Sequence, residues 1–173
     1  MASCRRHDGQ GAAGGDLIGP NPTDRGKPGT KKSLLVEATG GPLAIVIAGA
    51  NVHDTKLLAA TLDAVIVPRP PPTPEHPQHL CLDKAYDNPT GEAAVQAHGY
   101  TPHIRRIGEA RIAREQRTHP PRRWVVERTL AWLSKCRGIL VRYDKRAANY
   151  LALLKYACAL LWYRRYHRLA VLR

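Results

Sequence analysis

No phenylalanine occurs among the 173 residues, and methionine occurs once. Aromatic side chains make up 6% of the chain, which argues against a core built mainly of rings. Hydrophobic residues still reach 43%, enough for one packed domain and hardly enough for two. Cys4, Cys81, Cys136 and Cys158 have neither metal-ligand spacing nor a redox-pair motif, so a reduced, cytoplasmic setting is expected. The start MASCRRHDGQ carries basic residues but no apolar segment of the kind a secretory leader needs. The longest apolar run, residues 150–163, is interrupted by Lys155 and falls short of the ~20 residues a membrane span requires. It predicts a buried helix and no membrane partner. There is no internal repeat.

Acidic side chains are scarce in one half only. Residues 1–103 hold 9 basic and 10 acidic side chains, a balance of −1. Residues 104–173 hold 18 and 4, a balance of +14. So strong a field confined to one half attracts a polyanion, and nucleic acid gains most because neutralised phosphates release counterions. Solubility alone needs far less charge.

Residues 1–30 are rich in glycine and proline, without periodicity, and read as loop or disorder. The domain is expected over 31–169. Two apolar runs, 33–36 and 42–48, flank a Gly-Gly turn and predict a hairpin. Asp54 is placed to cap a helix over 55–64, and His53 reads as a turn residue. Six prolines lie between Val67 and His79, predicting an extended loop over 68–78. A short buried strand follows at 79–82, a helix at 88–98 closed by Gly99, and another strand at 100–104. Residues 105–122 read as a mobile basic loop, 123–137 and 147–169 as helices. At helical spacing Trp132, Tyr156 and Trp162 read as core. The order implies a mixed sheet flanked by helices.

Two carboxylates stand out. Asp83 follows the apolar run HLCL, in LDKAYD. A carboxylate at a strand's C-terminal end is fixed by the sheet and still reaches the surface, where open α/β sheets bind ligands. The same position suits a turn or helix-capping aspartate. Glu127 lies in PRRWVVERTLAWLSK, a helix apolar around most of its circumference, with Arg123, Glu127 and Ser134 as a narrow polar seam. A glutamate so embedded needs a partner or a metal. An i,i+4 pair with Arg123 is the plainer alternative.

These segments resemble those of bacterial insertion-sequence transposases of the Asp-Asp-Glu type. LCLDKAYD resembles the signature around their second acid. RRWVVERTLAWLSKCRGILVRYDKR resembles that around their glutamate. GPNPTDRGKPGTKKSLLV with PLAIVIAGANVHDTKLL resembles the stretch between the first and second acids. The resemblance implies a ribonuclease-H-like fold, here lacking its first strand, and Mg²⁺-dependent cleavage and strand transfer of DNA, with Mn²⁺ as substitute. It makes Asp83 the second acid and Glu127 the third, sharing a metal at one sheet edge. Arg123 matches the basic residue one turn before the glutamate. Arg122, Arg128, Lys135 and Arg137 join it as candidates for DNA phosphates. It further implies the element's inverted repeats and target DNA as partners, a homodimer in a transpososome, and a nucleoid-associated location.

The chain departs from the family in three places, one of them shortly after the GKPGTK segment, where a His is often found and this chain has Lys32 and Ser33. The first aspartate should lie on a strand before the glycine-rich segment, where this chain reads RRHDGQGAAGGD; Asp8 is the nearest acid but lacks an apolar strand around it. The family's lysine after the glutamate falls on Ser134, with Lys135 beside it. A truncated gene, or the downstream of two joined reading frames, would account for a missing first acid. A catalytically silent DNA-binding remnant is the alternative function. A small basic RNA-binding domain is a third, and it predicts no convergence of Asp83 and Glu127.

Overall fold

The computed structural model describes residues 2–11, 14–104 and 123–171; for 2–11, 123 and 169–171 it describes the backbone alone. The elements run β1 (Ala2–Gly11), β2 (Gly19–Pro20), β3 (Pro28–Val36), β4 (Pro42–Gly49), α1 (Asp54–Asp63), β5 (His79–Leu82), a 3-10 turn (Lys84–Tyr86), α2 (Pro89–Ala97), β6 (Thr101–Ile104), α3 (Arg123–Ser134), α4 (Arg137–Leu140), β7 (Val141–Arg142) and α5 (Ala147–Val171). The expected basic loop at 105–122 lies outside the described residues, and Arg122 with it.

All seven strands form one mixed sheet. β3 pairs antiparallel with β4 on one side and with β1 on the other, and β1 continues parallel to β5, which is parallel to β6. The strand at Ala2–Gly11 corrects two expectations. The N-terminal 30 residues are not loop throughout, and a strand does stand ahead of the β3–β4 hairpin. Its sequence has no apolar alternation. An eight-pair ladder from Ser3↔Val36 to Gln10↔Gly29, with β5 at its other edge, supplies what composition does not.

Helices cover both faces. On one, Leu35, Ala44, Leu80 and Leu82 pack with Leu58 and Leu62 of α1, Val95 of α2, and Tyr86 and Tyr100. On the other, Leu34, Val36 and Ile45 pack with Val125, Val126, Leu130 and Leu133 of α3, Ile139 of α4, and Tyr150, Leu154 and Ala157 of α5. α3 therefore buries one stripe and leaves Trp124 and Trp132 exposed. Tyr156 is 63% and Trp162 41% exposed, so the core reading of Trp132, Tyr156 and Trp162 is corrected. α5 touches the core through Tyr150, Leu154 and Ala157, with Leu161 packed at its edge. The helix expected over 123–137 breaks after Ser134. The chain turns at Lys135 and Cys136, which lets Ile139 drop into the same core as Leu133.

β3 is buried along nearly its whole length, including its two lysines. Lys31 points to the α1 face, where it meets Asp54 at 3.0 Å and also donates to the Val52 carbonyl. Asp54 is thus the counter-ion of a buried lysine, and His53, not Asp54, caps α1. Lys32 points to the opposite face and donates to the Ile139 carbonyl at 3.3 Å. That carbonyl also accepts from the Tyr150 hydroxyl at 2.8 Å. Burial pushes the Tyr150 phenol up to about 12, so it stays a donor. Arg142, 1% exposed, ties the region off by donating to Thr30 Oγ1 and to the carbonyls of Asp144 and Lys145.

The β3–β4 turn is a latch. Gly40 has φ +98°, and a side chain at Gly41 would meet the Trp162 ring at 2.3 Å. Glu37 folds back to accept from Thr39 N, Thr39 Oγ1 and Gly41 N. α3 grips the turn through Arg128 to the Thr39 carbonyl and Thr129 to the Gly40 carbonyl, at 2.5 and 2.7 Å. α5 grips it through Arg165 to Glu37 at 2.9 Å and Trp162 Nε1 to the Pro42 carbonyl at 2.7 Å. Partial burial opposes ionisation of Glu37. The hydrogen bonds from Thr39 and Gly41, with the Arg165 charge, outweigh it and hold the carboxyl below its usual range.

Two outcomes follow for stability. Asp54→Ala leaves the Lys31 charge buried without its counter-ion and should cost on the order of 3 kcal/mol. It should show as a lower urea midpoint at unchanged slope, with Lys31→Met recovering most of the loss. An unchanged midpoint would mean that Lys31 reaches water. For Glu37, a depressed folded-state pKa means stability present above the unfolded carboxylate value of ~4.3 and lost as pH falls through the folded one. From pH 5 down to pH 3 the wild type should therefore lose more stability than Glu37→Gln; equal losses would dissociate Glu37 from the latch.

Candidate acidic site and nucleic-acid face

Asp83 sits one residue past β5, with extended backbone at φ −77° and ψ 161°. Its carboxylate accepts from Lys84 N at 2.8 Å and caps the 3-10 turn, which buried Tyr86 anchors. Both sequence readings of this residue thus coexist: it caps a turn, and it stands at the end of a central strand. Leu80 and Leu82 point into the α1–α2 core, so strand alternation puts Cys81 and Asp83 on the α3 face.

Glu127 belongs to α3, which lies across β1 and β3 on that same face. Val125, Arg128 and Thr129 form the flank of α3 that grips the hairpin. Helical geometry puts Glu127, half-buried, on the opposite flank, turned away from the hairpin tip. Asp83 and Glu127 therefore share a face of the sheet. Asp8 lies in β1 with its Cα opposite Lys31 in the ladder, and its side chain is outside the described residues. Among the described residues, no group of three or more His, Cys, Asp or Glu side chains is arranged to hold a metal ion.

The basic candidates differ in what they can reach. Lys135 and Arg137 are exposed at the α3–α4 corner. Arg128 is half-buried, stacked between Trp124 and Trp132 with its guanidinium 4.7 and 4.9 Å from their rings, and engaged with Thr39. Its Nε has no hydrogen-bond partner among the described residues. Arg123 opens α3, its side chain outside the described residues. Lys31, Lys32 and Arg142 are buried and internally bonded. Sequence spacing did not signal this internal role: Arg142 lies inside the segment quoted around Glu127, and Tyr150, whose ring is 5.3 Å from its guanidinium, lies four residues beyond that segment. From Arg123 to Arg168, eleven basic residues stand against two acidic ones, Glu127 and Asp144. These helices form one layer, so the charge imbalance between the halves of the sequence becomes an imbalance between the faces of the sheet. Burial pushes the Cys158 thiol up to about 11, which keeps it protonated and unreactive. No helix among the described residues is long and apolar enough to cross a membrane.

Residues 3–162 match the family model described as the transposase DDE domain. The chain is 35% identical over 154 residues to a protein of Burkholderia cepacia assigned as the transposase for insertion sequence element IS402, a match covering 83% of this chain and 67% of that relative. The matched region begins on β1 and ends within α5, spanning both cores and the latch between them, and the chain belongs to the transposase DDE domain family.

Proposed function

We propose that this chain is a DNA-binding transposase polypeptide in which Asp83 and Glu127 are two acids of the catalytic set, and that it does not cut DNA by itself. What supports the reading is that α3, which carries Glu127, packs on the sheet face to which strand alternation assigns Asp83. A mixed sheet with helices on both faces supports the ribonuclease-H-like interpretation. The acid-poor layer of α3, α4 and α5 supports contact with phosphates through Lys135 and Arg137, with Arg122 and Arg123 beside them in sequence. Arg128 holds the hairpin and positions α3. The element's ends and its target are the DNA in this reading, held by two copies of the chain.

The family generally uses divalent metal ions; Mg²⁺, or Mn²⁺ in its place, belongs to the same proposal. Such ions take hard oxygen ligands. Among the described residues no group of three His, Cys, Asp or Glu side chains is arranged to meet that requirement, and the side chains of β1, Asp8 among them, lie outside those residues. Accordingly no cleavage step is assigned to this chain. Its residues bind and orient DNA.

Fluorescence anisotropy on duplex DNA tests the binding. Affinity should fall steeply with salt, the log–log slope being about −0.9 per neutralised phosphate, and Lys135→Ala and Arg137→Ala should each flatten it by about 0.9. Affinity indifferent to salt would sink the reading. The same protein incubated with its element's ends and Mg²⁺ or Mn²⁺ should yield no nicked or joined product on a gel. Robust metal-dependent cutting would show that the described carboxylates are not the whole set.

A further inference from the structure

The outer face of α5 is lined with exposed aromatic rings. The helix packs on the sheet through Tyr150, Leu154 and Ala157. On the side away from that stripe stand Tyr156 and Tyr163, 63% and 60% exposed. Seven residues separate them, which sets the two rings almost in line and ~10.5 Å apart along the helix axis. Tyr166, 70% exposed, follows within a turn. The His167 ring meets the Tyr163 and Tyr166 rings edge-on, with centroids 4.2 and 5.9 Å away. Helical geometry places exposed Lys155 on one side of the Tyr156–Tyr163 line and exposed Arg164 on the other. α5 contains no acidic residue.

Large rings left in water gain most from a partner that covers them with another flat surface. Duplex DNA keeps its base faces stacked inside and offers a protein only groove edges and phosphates. Each unpaired base offers a whole face, and the phosphates between successive bases suit cations set beside the rings. A second copy of the same helix fits less well, because two acid-free faces would bring like charges together. We propose that the Tyr156–Tyr163 face of α5 is a stacking platform for unpaired bases, a surface for single-stranded DNA separate from the duplex contacts at Lys135 and Arg137. Lys155 and Arg164 take the phosphates, and the rings take bases of any sequence. The proposal rests on the reading of this chain as a DNA-binding polypeptide, and it adds which strand state one of its helices holds.

The test is fluorescence anisotropy of the full chain with a labelled oligothymidine of about 12 nucleotides, run beside a duplex in the same buffer. Tyr156→Ala and Tyr163→Ala should each weaken oligothymidine binding by roughly 5- to 100-fold and leave duplex affinity unchanged. Tyr163→Phe keeps the ring and should bind as the wild type does. The salt slope separates rings from charges: it should stay the same in the tyrosine variants, whereas Arg164→Ala should flatten it by about 0.7. Circular dichroism confirms that each variant is folded. A wild type that does not bind oligothymidine would overturn the proposal, as would folded alanine variants that bind it with wild-type affinity, or a Tyr163→Phe protein as weak as Tyr163→Ala. Sedimentation covers the other occupant: a concentration-dependent dimer that Tyr163→Ala dissolves would assign the face to a second copy and overturn the proposal too. Oligothymidine binding without duplex binding would sink the preceding functional reading and leave this one standing; duplex binding alone would do the reverse.

Discussion

Two adjacent lysines in the middle of a buried strand constrain this fold more than any other feature. Lys31 and Lys32 alternate to opposite faces of β3, and each loses nearly all contact with water. A buried ammonium without partners is too costly to keep. On one face the solution is Asp54 and the Val52 carbonyl, which set the entry to α1. On the other it includes the Ile139 carbonyl, which exists as an acceptor only because the chain breaks between α3 and α4. Tyr150 shares that carbonyl, and Arg142 packs against Tyr150. The start of α1, the α3–α4 corner and the start of α5 are therefore all referred to neighbouring residues of one strand.

This arrangement changes what the basic charge means. Counted along the sequence, it is a reservoir of phosphate contacts. In the fold, part of it is internal structure. Arg142 bonds two loop carbonyls and a threonine, Arg165 clasps Glu37, and Arg128 is inserted between two tryptophans while it holds Thr39. The basic side chains left for a partner, such as Lys135 and Arg137, lie on a layer set by those internal contacts. The exposed basic surface and the scaffold that shapes it are made of the same residue type, distinguished by burial.

Most elements after β1 were legible because their signals are local. The apolar runs around Gly40-Gly41, the strand ending at Asp83, and α2 with Gly99 beyond its end each follow from spacing and turn chemistry. β1 was not legible. ASCRRHDGQG offers no alternation, and its place is set by ladders to β3 and β5 that no window of sequence contains. The pairing of Asp83 with the α3 face was half legible: motif order suggested it, but the face is decided by Leu80 and Leu82 pointing the other way. The exposed Trp132, Tyr156 and Trp162 misled for a related reason. Helical spacing says which side chains share a stripe and leaves open whether a sheet covers it.

The hairpin tip joins segments that are far apart in time as well as in sequence. Arg128 is 89 residues beyond the carbonyl it grips, Trp162 is 120 beyond Pro42, and Arg165 is 128 beyond Glu37. During synthesis β3 and β4 emerge long before either helix, so the turn and its carboxylate wait in solvent until α5 has left the ribosome. Closing such distant contacts is slow, because the entropy of the intervening loop is lost before the contact repays it. Docking of α5 onto the tip therefore has to follow the synthesis of both partners. A ribosome that stops before Trp162 releases a chain with its hairpin unclasped and the neighbouring apolar stripe of α3 less completely covered.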